Sequence, residues 1–133
     1  MTLELHRSPA AGGGSYSDAV VVDSDGLRWI HVAGQTPRAP RPEDVPSDLG
    51  GQAELCFGQI EAIIAPWAAG LKDVVQITVY LTSLKDYASF ASVRARLFGD
   101  QPPASAAVGV SSLLDDALIE IAAVAVTRSG DSR

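Results

Sequence analysis

Residues 118–126 read Leu118-Ile119-Glu120-Ile121-Ala122-Ala123-Val124-Ala125-Val126, an apolar run broken by one carboxylate. Its length and its β-branched content mark a strand, placed at 117–127 behind a polar turn at Asp115-Asp116. Side chains of a strand alternate between faces, and here both sets are apolar. The segment 27–33, Leu-Arg-Trp-Ile-His-Val-Ala, has the same two-sided character. Strands of this kind sit inside a sheet with neither face open to water.

Working outward, Asp18-Ala-Val-Val-Val22 is a strand joined to 27–33 by turn residues Asp23-Ser24-Asp25-Gly26, which makes a hairpin. Pro37, Pro40, Pro42 and Pro46 keep residues 36–46 as an extended surface loop. Leu49, Ala53, Cys56, Phe57, Ile60, Ile63, Ile64 and Trp67 fall on one stripe at helical spacing, with Ser47 as N-cap and Pro66 and Gly70 near the end. Residues 73–81 alternate again, with Val75, Ile77, Val79 and Leu81 on one side and Val74, Gln76, Thr78 and Tyr80 on the other. Ser83 to Asp86 opens a second helix with apolar positions Tyr87, Phe90, Val93, Leu97 and Phe98, ended by Gly99 and Pro102-Pro103. A strand at 104–110 precedes the one at 117–127.

The predicted order is ββαβαββ, an α+β domain spanning 1–133 with a mixed sheet and both helices on one face. Residues 1–15 are read as a flexible lead-in and 128–133 as a flexible tail. Two helices cover only one sheet face, so the other apolar face needs a second copy of the chain, and symmetric self-association is expected.

The formal charge of −6, with no cluster of Lys or Arg, argues against nucleic acid as partner. No apolar run approaches the ~20 residues of a membrane span, and residues 1–11 lack the pattern of a secretory signal, so no membrane partner and a cytoplasmic location are expected. Cys56 is the only cysteine, flanked by Leu55 and Phe57, and reads as a small buried side chain. His6 and His31 are the only histidines and stand in unrelated contexts; by themselves they do not make a metal site, although carboxylates can complete one.

Glu120 is the residue the pattern singles out. A carboxylate in a buried strand loses hydration, which raises its pKa unless a cation or donors compensate, and a carboxyl so poised shuttles protons or activates water. A structural ion pair or an edge charge against aggregation accounts for it equally well. Arg94 interrupts the apolar seam of the second helix. It either grips a ligand carboxylate or lays its stem on the core with its head in water. Tyr16 follows Gly12-Gly13-Gly14-Ser15, which lets its ring fold over a pocket, and Gly34 ends a strand where a ligand or a backbone can approach closely.

The whole pattern resembles the RidA (YjgF) family. The segments that carry it are Gly14-Ser15-Tyr16 with Ala19-Val20, Ile30-His31-Val32-Ala33-Gly34-Gln35, Gln52, and Asp73-Val74-Val75 with Thr78-Val79-Tyr80-Leu81. Pro103-Ala104 and Ile119-Glu120-Ile121 leading to Ala125 complete the set. The resemblance implies a chorismate-mutase-like ββαβαββ fold and a homotrimer with three intersubunit clefts. It also implies hydrolysis of enamines and imines, such as 2-aminoacrylate, to 2-keto acids and ammonia without metal or cofactor. In that scheme Glu120 activates water and Tyr16 closes the cleft, while an arginine after Pro-Ala holds the substrate carboxylate, helped by a serine before Gly-Gln. Here the arginine's position is Ser105 and the serine's is Ala33. The family's asparagine and tyrosine on the second helix appear as Ala91 and Arg94.

Two readings follow. One is an enzyme with Glu120 as proton shuttle, a substrate other than 2-aminoacrylate, and either Arg94 as a relocated anchor or apolar walls at Ala33, Ala91 and Ala107. The other is a non-catalytic trimer that binds a metabolite or a protein. RNA cleavage, attached to some relatives, is disfavoured by the acidic charge.

Overall fold

The hairpin forms where the turn chemistry placed it. Asp25 and Gly26 have φ of 52° and 85°, the conformation that a two-residue connection between twisted strands requires. This computed structural model describes residues 2–129. Within them the elements run β1 (Leu3–Pro9), β2 (Ser17–Ser24), β3 (Leu27–Gln35), α1 (Leu49–Ile64), β4 (Val74–Leu81), α2 (Tyr87–Phe98), β5 (Ala104–Gly109) and β6 (Ile119–Arg128). The strands form one sheet in the order β1-β2-β3-β6-β4-β5.

The last strand is inserted between β3 and β4, antiparallel to both, and only β4–β5 is parallel, joined through α2. That central place is why residues 119–126 are apolar on both sides. Ile30, Val32, Ile77, Val79, Leu81, Ile119 and Ile121 point to the helix-covered face and are buried with α1 residues Ala53, Cys56, Phe57, Ile60 and Ile64. Phe57 lies against Phe90 at 6.2 Å and Phe98 at 5.5 Å between centroids, which docks α2 on α1 over the same face. The α+β class, the mixed sheet and the two helices on one face are as the sequence predicts.

Four local expectations change. Residues 3–9, read as part of a flexible lead-in, form an edge strand paired with β2 from Leu3↔Ser24 to Ser8↔Ala19. On β4 the register against β6 slips between Val74 and Gln76, so Val74 enters the core at 5% exposure while Val75 stands 47% exposed. Such a bulge reverses the side-chain parity that strict alternation assumes. The N-cap of α1 is Asp48, which accepts from the Gly51 N–H at 3.0 Å, because the backbone stays extended through residue 48. Leu84–Asp86 is a 3-10 turn, with the Ser83 hydroxyl accepting from Lys85 N–H, and α2 begins only at Tyr87. The tail expected at 128–133 lies mostly outside the described residues; Arg128 ends β6 and Ser129 N–H donates to Gly26 O at 3.0 Å.

The second sheet face carries Ala33, Thr78, Tyr80, Glu120, Ala122 and Val124, all half-buried, and β5 is exposed along its length. A shallow cavity of about 220 Å³ lies there between His31, Gln76, Thr78, Ala122 and Val124. Among the described residues no helix is long and apolar enough to cross a membrane.

Candidate functional site

Glu120 stands between Ile119 and Ile121, both fully buried beneath the helices, so strand alternation turns its carboxylate to the open face. There it lies across from Tyr80, its registered partner on β4. The sequence predicts a buried strand here; Glu120 is only half-buried, because none of the described residues covers this face. Gly34 makes its position possible. A Cβ added at Gly34 would fall 2.2 Å from Glu120 Oε2 and 2.9 Å from its Cδ. The β3–β6 register shifts between Val32 and Gln35, and this bulge sets the Gly34 backbone against the carboxylate. Among the described residues no side-chain hydrogen bond or ion pair engages the Glu120 carboxylate.

Tyr16 precedes β2 at the end of the sheet where β3 carries Gly34, since Ala19 pairs with Val32. Tyr16 is 55% exposed and its ring folds back over Gly14, where an added Cβ would meet Tyr16 Cε1 at 2.7 Å. The glycine lead-in therefore gives the ring room to lie along the backbone.

Arg94 belongs to a different neighbourhood. Its Nη1 donates to Ser105 Oγ at 3.0 Å and its Nη2 to Tyr87 Oη at 3.0 Å. The guanidinium carbon sits 5.1 Å from the Phe90 ring centre and 5.6 Å from that of Tyr87. Ser105 and Ala107 pair with Ile77 and Val79, so they share the helix side of the sheet with Arg94. The predicted site residues thus divide into two half-sites. Glu120 and Gly34 occupy the open face, and Arg94, Ser105 and Ala107 the opposite side near the β5 edge. One chain does not bring Arg94 and Glu120 together.

Two polar residues position the chain around Glu120 and Gly34, and each is visible in the sequence as a polar side chain at a buried place. Gln52, polar on the apolar stripe of α1, donates to Pro46 O at 2.9 Å and accepts from Leu118 N–H at 2.9 Å, which holds the chain two residues before Glu120. Gln35 is 1% exposed; it donates to Ala33 O and accepts from Arg38 Nη2 and Gln59 Nε2, locking the end of β3 beside Gly34. Burial, with a smaller contribution from the Glu120 carboxylate, pushes the Cys56 thiol up to about 12, against a weaker opposing pull from Arg38. At neutral pH it is protonated and unreactive. A larger cavity of about 520 Å³, between the proline-rich loop and Asp115-Asp116, is lined by residues of neither half-site.

The sequence model of the family described as Endoribonuclease L-PSP matches residues 6–127. A RutC family protein of Pyrococcus abyssi is 42% identical over 113 residues, which are 84% of this chain and 86% of its own. TdcF of Escherichia coli K12, provisionally named a reactive intermediate deaminase, is 30% identical over 127 residues, 93% of this chain and 95% of its own. The crystal structure of the YjgF gene product of E. coli matches with a TM-score of 0.76 at 32% identity, covering 92% of this chain and 94% of that one.

Proposed function

The chain belongs to the RidA (YjgF) family, matched above as Endoribonuclease L-PSP, and from that membership we propose that it hydrolyses an imine or enamine other than 2-aminoacrylate, with Glu120 moving the protons. The observation that carries this reading is the Glu120 carboxylate, half-buried in an apolar strand, without a hydrogen-bond or ion-pair partner among the described residues, and given its place by the absence of a side chain at Gly34. A carboxylate so placed takes a proton from water as the oxygen attacks the imine carbon. It returns a proton to nitrogen, and the resulting carbinolamine collapses to a carbonyl product and ammonia. An enamine enters the same sequence after protonation at carbon.

The division into half-sites fits an assembly in which the open face of one protomer meets the β5 edge of the next. In a cyclic trimer each cleft would then hold one protomer's Glu120 and its neighbour's Arg94. The exposed β5 and the half-covered apolar face support this arrangement. Arg94 touches Ser105, the position where the resemblance implies an arginine, so α2 carries a guanidinium toward the place that strand β5 does not fill. An added Ser105→Arg would set two guanidiniums against each other, so the swap that restores the family grip is Ser105→Arg together with Arg94→Tyr.

Binding without catalysis is the second reading. It is favoured by Arg94 already being engaged by two hydroxyls of its own chain, which leaves fewer donors for a substrate. The deciding experiment generates imines in situ from a panel of amino acids and follows ammonia release by wild type and Glu120→Gln. Turnover of at least one imine, lost in the variant, is expected; wild type no faster than the variant on every imine would establish the binding protein.

A further inference from the structure

Glu4 and His6 are two residues apart on β1, so their side chains share a face, and the β1–β2 register sets Asp23 opposite Glu4. Three side chains able to ligate a metal therefore converge at the edge of the sheet, far in sequence from Glu120. His6 Nε2 lies 3.5 Å from Asp23 Oδ2 and 3.7 Å from Glu4 Oε2, and one ligand atom from each of the three fits within a 4.8 Å span. Donors held at about 2.0–2.2 Å from a tetrahedral cation stand roughly 3.3–3.6 Å apart, close to these separations.

The surroundings orient the same groups. The His6 ring lies against Trp67, with centroids 5.3 Å apart. Arg28 holds the Asp23 carboxylate through Nε–Oδ1 at 2.7 Å and Nη2–Oδ2 at 2.9 Å, which fixes its orientation. Hydrogen-bonded carboxylates are usual among metal ligands, and each oxygen has a second lone pair to offer. A cavity of about 340 Å³ opens against Glu4 and Asp23, with room for water to complete a coordination shell.

We propose that Glu4, His6 and Asp23 form a site for a divalent transition cation of the zinc and cobalt class. One imidazole with two carboxylates suits such ions better than calcium or magnesium, which take oxygen shells. The cation bridges β1 to β2 and fastens the edge strand; it takes no part in the chemistry at Glu120. Arg28 reduces the negative charge at the site, so binding is weaker than at a closed structural zinc centre.

The full chain, stripped with a chelator, is titrated with zinc by calorimetry and with cobalt(II) by visible absorption. Saturable binding of one ion per chain is expected, at least tenfold weaker in His6→Ala and several-fold weaker in Glu4→Gln. His31→Ala, which removes the only other histidine, and Glu120→Gln are expected to bind as wild type does. Absence of saturable binding, equal binding by His6→Ala, or loss of binding in His31→Ala would each overturn the site. Circular dichroism verifies that each variant is folded.

Discussion

Strand β6 presents two faces that differ in how far the chain completes them. Ile119, Ile121, Ala123 and Ala125 are at most 4% exposed and lie under α1 and α2. Glu120, Ala122, Val124 and Val126 alternate with them and are only half-buried. The covered face is finished by the chain's own side chains, and there composition alone is enough. The open face of β6 is apolar apart from Glu120 and is left half-covered, and it carries a carboxylate that no side chain among the described residues pairs.

Changing one residue on each face separates their roles. Glu120→Gln is expected to lower imine hydrolysis by about 10²–10⁴-fold with an unfolding midpoint near that of wild type. A matching loss of stability would place the residue with the structural side chains instead. Gly34→Ala tests the same point from the backbone, since its Cβ displaces the carboxylate while a flexible side chain can swing aside. A fall in turnover of at least ~10-fold is expected, again with little change in stability.

On the covered face Phe57→Ala is expected to lower the unfolding free energy by about 3–5 kcal/mol in a urea titration. Val124→Asp, on the open face, should leave the fold of a single chain intact and shift sedimentation toward the monomer. Equal unfolding by both variants would erase the distinction between the faces.

Arg94→Met removes the guanidinium and keeps most of the stem. Loss of a charge-assisted contact of about 1.5–3 kcal/mol should raise KM for anionic imines roughly 10- to 100-fold and spare neutral ones. An equal effect on both would assign Arg94 to packing on Phe90.

The smallest effect belongs to the edge strand. The Arg28 hydrogen bond depresses the Asp23 pKa in the folded state, and a depressed carboxyl contributes stability above its unfolded value, about 4, that is lost as the pH falls through the folded one. The urea midpoint of wild type should therefore exceed that of Arg28→Met at about pH 6, and the gap should narrow below about pH 4. A constant gap would leave the ion pair without influence.

Much of this was legible from residue order. Glu120 was visible because a lone carboxylate in an apolar strand breaks its own pattern. The edge strand was not recognised: Leu3 and Leu5 alternate with polar residues, but both stay exposed, at 65% and 49%, and Pro9 closes the run early. The parity of Val74 and Val75 is not encoded locally, because the bulge is imposed by the partner strand, and β6 lies more than 40 residues downstream. Contact between Arg94 and Ser105 depends on how α2 crosses from β4 to β5, which local periodicity does not encode.

Residue order alone fixed strands β2 to β6, both helices, the two-sided apolar strands and the isolated carboxylate, because hydrophobic period and turn chemistry act over a few residues. Only the tertiary structure decided that β6 is central, that Gly34 makes room for Glu120, that Arg94 and Glu120 lie on opposite sides of the sheet, and that His6 meets Glu4 and Asp23. Each of those depends on strand register and on which strands become neighbours, and these are set by burying the whole core at once.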